Sequence, residues 1–453
     1  MGGGGMAGRP NILFSMCDDQ RHDAMGCAGH PFLETPAMDR LAREGVRFAN
    51  AFTAVPLCAP SRATHHTGVY PHAHGVFHNR AGLRPAVSTW PQLLRQAGYR
   101  TGFIGKIHYG DRGRPQPGFD HWVSFPGQGA YVDPVLNVDG VETPHTGYNT
   151  DLLADYAERF VRASDGRPWA LCLWYKAPHG PFEPPPRHRD AYADAALPVP
   201  PTLTASTEGK TESLLRRRPM GHEPGWHPDG VFVSGKTWDR FMRDYARTLR
   251  GVDDALGRVL EAVDQTGAAG ETVVVHTSDH GYFHGEFGLA DKRWMYEAAI
   301  RVPLLARYPA AGGAPGRTLS DLVCSVDVPA TLVDLAGVGV PDHYQGFSLR
   351  PLLDGGGPWR RRDVLVEYFE DPPFPALPTM VCLRTADRKL IHYLRPGESD
   401  ELYDLQADPE ERHNVIADAR YAGDLAALRE RLAQEQGRLG YRLPPEEGVV
   451  GDG

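Results

Sequence analysis

Residues 11–20 read NILFSMCDDQ. The apolar run Asn11–Met16 has the length and composition of a buried strand. It stops abruptly at Cys17-Asp18-Asp19-Gln20. Three more apolar runs end the same way. Thr101–Gly105 leads into Lys106-Ile107-His108, and Trp169–Tyr175 into Lys176-Ala177-Pro178-His179. Thr272–His276 leads into Thr277-Ser278-Asp279-His280-Gly281. Helical patterns lie between these runs. Thr89-Trp90-Pro91 opens a helix with proline in its first turn, and Gly98 closes it. Phe241, Tyr245, Leu249, Val252, Leu256, Val259 and Val263 recur at helical spacing. Strands alternating with helices predict an α/β fold whose central sheet is mostly parallel and covered on both faces. Ligands of such sheets bind beyond the carboxyl ends of the strands. The four polar clusters are therefore expected to converge, whatever the strand order.

The chain has 453 residues, which predicts one large unit and a smaller one. Residues 1–8 read as a flexible leader. The segment 180–235 is rich in Pro, Arg, Gly and His and has little periodicity, so it is expected to be an irregular surface excursion that shapes a pocket. "LLDGGGPWRRR" (352–362) marks the boundary between the large unit, 9–355, and the small one, 356–453. In the latter, Lys389–Leu394 and Glu401–Asp404 read as a hairpin around Pro396-Gly397, with a helix near 421–437.

Apolar content of 41 % and charged content of 23 % describe a globular chain. The net charge of −9 is spread along it, with no basic run suited to nucleic acid. No apolar run approaches the eighteen or so residues of a membrane-spanning helix. The start lacks the basic-then-apolar pattern of an export signal. The spacing of Cys17, Cys27, Cys58, Cys172, Cys324 and Cys382 fits neither a zinc cluster nor a disulfide framework. A cytoplasmic location is expected.

Asp18, Asp19 and Asp279 cannot share a site as bare charges, because like carboxylates repel until one takes up a proton. A divalent cation resolves the conflict. Three carboxylates and the His280 imidazole suit Ca²⁺ or Mg²⁺, and the imidazole also admits Mn²⁺. Arg62, Lys106, Lys292 and the histidines would then face an anionic substrate. Taken singly, each feature has a plain structural explanation: a capping Asp pair, a solvated Lys-x-His loop, a turn histidine at 179, a small buried thiol at 58. Their coincidence at strand ends is what points to a site.

The segment 57–68, LCAPSRATHHTG, then takes on meaning. Cys58-Ala59-Pro60-Ser61-Arg62 with Thr67-Gly68 resembles the signature of the type I sulfatases of the alkaline phosphatase superfamily. "RPNILFSMCDDQR", "TPAMDRLAREGVRFANAFTAVPLCAPSR", "GYRTGFIGKIHYG", "KAPHGPF", "HTSDHGYFHGEFGLADKRWMYE" and "ELYDLQADPEERHN" resemble further blocks of that family, covering about residues 9–440. The resemblance implies an alkaline-phosphatase-like sandwich plus a small C-terminal α+β domain with an antiparallel sheet. It implies that a formylglycine-generating enzyme converts Cys58 to formylglycine. Asp18, Asp19, Asp279 and His280 would bind the metal, most naturally Ca²⁺, with modified Cys58 as a further ligand. Family members often carry Asn where His280 stands. Arg62 and Lys106 would hold the formylglycine and the sulfate charge. His108 would orient or deprotonate the hydrate, and His179 and Lys292 would bind sulfate and assist the leaving oxygen.

The implied reaction is hydrolysis of a sulfate monoester of a small molecule or sugar, with neither nucleic acid nor membrane as partner. The nearest alternative is a phosphonate monoester or phosphodiester hydrolase of the same superfamily, against which Lys106-x-His108 argues. A different class, a non-catalytic anion- or metal-binding protein, would leave Cys58 unmodified. For the leaving group, His22, His74, His78 and Asn79, or His222, Trp226 and His227 in the irregular segment, are candidate pocket residues.

Overall fold

The computed structural model describes residues 8–110, 113–163, 165–217 and 231–444. Its strands are β1 (Asn11–Asp18), β2 (Val46–Phe52), β3 (Arg100–Gly105), β4 (His121–Ser124), β5 (Val135–Val138), β6 (Val141–Pro144), β7 (Trp169–Pro178) and β8 (Thr272–Ser278). Then follow β9 (Phe283–His284), β10 (Ala290–Asp291), β11 (Arg301–Val302), β12 (Leu304–Arg307) and β13 (Arg317–Cys324). The last four are β14 (Val364–Tyr368), β15 (Met380–Arg384), β16 (Arg388–Tyr393) and β17 (Glu401–Asp404).

β8, β1, β7, β3 and β4 lie side by side in that order, all parallel, at the centre of an eleven-stranded sheet. β12 extends it antiparallel beyond β8, and β5 beyond β4. The apolar runs are continuous because both faces are covered. Along β1, Leu13 and Cys17 enter one core, and Ile12, Phe14 and Met16 enter the other. Helices Pro36–Glu44, Asn149–Arg162 and Trp238–Gln265 pack on the first face. Helices Cys58–Thr67, Trp90–Gln96 and Asp327–Leu335 pack on the second. Thr89 and Gln92 form the capping box that starts the helix at Trp90. No helix among the described residues is long and apolar enough to cross a membrane.

β14, β15, β16 and β17 form a separate antiparallel sheet on which helix Ala422–Leu439 packs through Leu428, Leu432 and Leu439. This is the expected fold: a mostly parallel sandwich and a small antiparallel α+β unit. The irregular segment departs from its reading in one respect. It is not confined to the surface: Lys210, Thr211, Ser213 and Leu214 are buried. The Lys210 ammonium lies over Phe287, Tyr296 and Tyr403, 4.1, 4.4 and 4.5 Å from their ring centres, and donates to Tyr403 Oη at 2.7 Å. Cation–π attraction makes burial of that ammonium tolerable.

The chain between the two units is tied down by Arg361. Its guanidinium pairs with Asp327, and both side chains are fully buried. Asp327 also accepts from the amides of Cys324 and Phe347, at 2.8 and 2.7 Å. Removing one member of a buried pair strands the other. Arg361→Met is expected to lower the unfolding free energy by about 3–5 kcal/mol, read as a reduced urea midpoint.

Candidate active site

The order β8-β1-β7-β3 places all four polar clusters at the same sheet edge, on adjacent strands. Cys17 pairs in register with Ser278, so Asp18 and Asp279 leave the sheet side by side. At Asp19 the backbone turns left-handed (φ 73°), a conformation Asp tolerates better than most residues. The turn is held by the Asp19 amide on Asp279 Oδ1 (3.3 Å) and the Gln20 amide on Ser278 Oγ (2.9 Å). Gly105, at φ 126°, is obligatory: a Cβ there would lie 1.8 Å from the Trp174 carbonyl oxygen. That close approach lets the Lys106 amide donate to the same oxygen at 2.7 Å and turns Lys106 into the site.

Cys58 is the first residue of its helix and Arg62 lies one turn later, so the two share a face. The helix opens without a side-chain cap at Leu57, and the Ala59 amide donates to Asn79 Oδ1 at 3.0 Å. Its positive end therefore sits at Cys58. The fully buried Arg62 bridges the strands. Nη2 donates to Asp18 at 3.0 Å, Nε to Asp279 at 3.0 Å, and Nη1 to the Lys106 carbonyl at 2.6 Å. Lys106 Nζ also donates to Asp18. Cys58 Sγ lies 3.7 Å from Asp18 Oδ1 and 3.3 Å from His280 Nε2. Lys292 donates to Asp19 Oδ1 at 2.9 Å. His179 Nε2 lies 3.9 Å from Asp19 Oδ2.

Burial raises the Asp18 carboxyl, as does the Cys58 thiol, yet Lys106 and Arg62 hold it well below the usual carboxylate range. Burial and the facing Asp18 push Asp279 upward. Burial also raises the Cys58 thiol, but Lys292, Lys106 and His280 together draw it well below its ordinary value. Burial, then Lys106, holds His108 down to about 4, a neutral ring whose buried Nδ1 has no hydrogen-bond partner.

Two groups of donors could hold a cation: Asp18, Cys58, Asp279 and His280, and Asp18, Asp19 and His179, each with its ligand atoms within 4.8 Å of one another. Asp19 Oδ2 is buried without a hydrogen-bond partner, which is the condition of a carboxylate oxygen reserved for an ion. The residues fit a hard divalent metal.

The sulfatase family model matches residues 10–338, and a second, for the C-terminal part of N-sulphoglucosamine sulphohydrolase, matches residues 285–438. The chain is 34 % identical to the N-acetylglucosamine-6-O-sulfatase of Bacteroides thetaiotaomicron, over 98 % of this chain and 89 % of that one. It is 29 % identical to the Homo sapiens N-acetylglucosamine-6-sulfatase, over 90 % of this chain and 81 % of that one. A solved structure holding its substrate D-glucosamine-2-N,6-O-disulfate superimposes with a TM-score of 0.90 at 33 % identity, covering 97 % of this chain and all of that one (100 %). The chain belongs to the sulfatase family. It is a sulfuric ester hydrolase.

The sulfatase brings together all ten residues that the sequence singled out for the site. The pocket candidates fare differently. His74 is fully buried, bonded to Thr64 Oγ1 and the Val76 amide, and is part of the packing. His22 lines a separate cavity of about 380 Å³ with His284 and Glu286. Asn79 supports the start of the Cys58 helix, accepting from the Ala59 amide, rather than reaching past it. His78 lies near Asp371. His222, Trp226 and His227 fall outside the described residues.

Sequence reasoning missed Gln128, whose carboxamide accepts from Lys106 and faces His108 Nε2 at 3.5 Å. It also missed Arg293, next to Lys292, and Asp371. Arg293 is buried, pairs with Asp291, stacks 3.9 Å over Phe374 and lies 3.5 Å from Asp371. The adjacency of Arg293 to Lys292 was an available signal, but nothing in the sequence marks Asp371.

Chelating divalent cations from the purified sulfatase is expected to lower its melting temperature, and Ca²⁺ to restore it. At a free concentration one hundred times the dissociation constant the ion adds about 2.7 kcal/mol. Asp19→Asn should abolish most of that gain in the same thermal assay.

Proposed function

We propose that this sulfatase removes the sulfate ester from a small sulfated amino sugar, with Cys58 matured to formylglycine and a calcium ion held by Asp18, Asp19, Asp279 and His280. One observation carries the reading: residue 58 sits at the focus of a positive field. Lys292, Lys106 and His280 all favour negative charge at its side-chain tip, against the penalty of burial. A helix N-terminus points at the same spot. That is where a nucleophilic oxygen and an anionic ester must meet.

A formylglycine hydrate supplies a hydroxyl nucleophile and a second hydroxyl whose deprotonation re-forms the aldehyde and releases sulfate, an exit a thiol lacks. Bound calcium supplies charge neutralisation at the ester oxygens. The chain's own residues do the rest. Arg62 pairs with both Asp18 and Asp279 and offsets the repulsion between them. Lys106, braced by Gln128, faces the sulfate charge. His108 is buried and neutral, its Nδ1 is without a hydrogen-bond partner, and it can accept a proton from residue 58. Lys292 and His179 lie against Asp19, placed to bind sulfate oxygens and to protonate the leaving oxygen.

The sugar reading rests on the relatives' names and on the wall beside the site. N-Acetylglucosamine-6-sulfatases and the glucosamine disulfate complex support an amino sugar. Arg293 Nε and Asp371 Oδ1 are buried atoms without hydrogen-bond partners. One donates, the other accepts, and the Phe374 ring packs against the same guanidinium. This suits adjacent sugar hydroxyls.

The test is the mass of the peptide spanning residue 58, from protein made in a host with a formylglycine-generating system, followed by a substrate panel. Aldehyde or hydrate at residue 58 is expected, with turnover of N-acetylglucosamine 6-sulfate exceeding that of a phenylphosphonate monoester. An unmodified thiol, or a preference for the phosphonate, would overturn the proposal. Arg293→Ala and Asp371→Ala should each raise KM for the sugar sulfate by about tenfold or more, the loss of one buried charged hydrogen bond, and leave 4-nitrophenyl sulfate turnover within about threefold.

A further inference from the structure

His179 reaches the site from a segment that leaves β7 at Pro178. Its ring is not held by a carboxylate behind it. Nδ1 lies 3.0 Å from the Gly180 carbonyl oxygen. A carbonyl can only accept, so Nδ1 carries a hydrogen and Nε2 is the nitrogen left to exchange protons toward Asp19 and the substrate. The orientation of one carbonyl group therefore sets the tautomer and aim of the ring.

That carbonyl is itself held by Lys176, whose Nζ donates to Gly180 O at 3.0 Å. Lys176 is 2 % exposed, and among the described residues no carboxylate lies within ion-pair distance of it. Its ammonium instead rests 4.6 Å over the Tyr131 ring. A buried ammonium without a counter-ion is costly, and a neutral side chain of the same length would pack there without the penalty. Tyr131 takes the other side of the loop: its hydroxyl donates to the His179 carbonyl at 2.5 Å. Tyr131 is fixed in turn by the Asn149 amide on its carbonyl (2.7 Å), the Asn149 side chain on Ala130 O (3.0 Å), and stacking on Tyr148 at 5.8 Å. The carbonyls of 179 and 180 are thus both occupied by side chains with no other described part in the site.

We propose that Lys176 and Tyr131 are positioning residues for His179, Lys176 fixing the ring tautomer through Gly180 and Tyr131 fixing the backbone that carries it. The inference takes the role of His179 from the function proposed above. Its own test does not need that role to be right. In protein labelled with ¹⁵N-histidine, the His179 ring, assigned by its loss in His179→Ala, should show a single Nδ1–H tautomer. Lys176→Met should convert it to an averaged pair, and Lys176→Arg should restore it. An unchanged tautomer in Lys176→Met would overturn the proposal.

Kinetics supply the second arm, with 4-nitrophenyl sulfate and N-acetylglucosamine 6-sulfate as probes. Tyr131→Phe and Lys176→Met should each lower kcat about ten- to a hundredfold, part of what one general acid contributes, with KM within about threefold. In the His179→Ala background both effects should shrink to less than about threefold. Full effects persisting without His179 would mean that the two residues act elsewhere. If Lys176→Met does not fold, Tyr131→Phe, which deletes one hydroxyl, still decides the kinetic arm. Absence of turnover in the parent enzyme would sink the proposed function while leaving the tautomer result to judge this one.

Discussion

Arg62 is the constraint from which the site follows. A fully buried guanidinium survives only when its fork is satisfied, and here each arm is bound to a different part of the sheet edge. Nε takes Asp279 beyond β8, Nη2 takes Asp18 at the end of β1, and Nη1 takes the carbonyl beyond β3. None can slip by a residue without leaving a charge unpaired in a dry space. Asp18 has Arg62 and Lys106, and Asp19 has Lys292, which leaves Asp19 Oδ2 buried without a hydrogen-bond partner. The register of the central strands, the packing of the Cys58 helix and the location of the candidate metal site are one problem with one solution.

Much of this was legible because parallel strands advertise their ends. An apolar run buried on both faces cannot end in Asp-Asp, Lys-x-His or Asp-His unless those side chains have somewhere polar to go. Four runs that did so pointed to seven of the ten candidate site residues, Asp18, Asp19, Lys106, His108, His179, Asp279 and His280, before any strand order was known. The helix start at Trp90 and the long helix from Trp238 were legible for the ordinary reasons of capping and period. The significance of Cys58 was not carried by its chemistry alone. It came from the resemblance of the surrounding motif.

What stayed hidden depends on contacts between residues far apart in sequence. Gln128 sits on a turn after β4 with no polar pattern around it, and only the neighbouring of β3 and β4 brings it to Lys106 and His108. The burial of Lys210 needs rings from Phe287, Tyr296 and Tyr403, supplied by two units of the fold. His74 failed in the opposite sense. A histidine-rich stretch after a nucleophile invites a functional reading, but the short turn Pro71–His74 folds it inward onto Thr64.

The C-terminal sheet is more than an appendage, and β14 shows why. Glu367, next to its last residue, takes His72 at 2.5 Å, and its amide donates to the Ala54 carbonyl at 2.8 Å. These contacts bracket the Cys58 helix, one just before it and one just after. Three residues beyond the strand, Asp371 meets Arg293 at the wall of the site. One strand thus holds both ends of the Cys58 segment and delivers Asp371 to Arg293. The distance between residue 58 and that wall is set by a single continuous stretch of backbone, 367–371. A change in that stretch would move the wall while the charge network around Arg62 stayed as it is. The wall at Arg293 and Asp371 and the charge network around Arg62 are joined through β14 yet built from separate residues, which allows one to vary without the other.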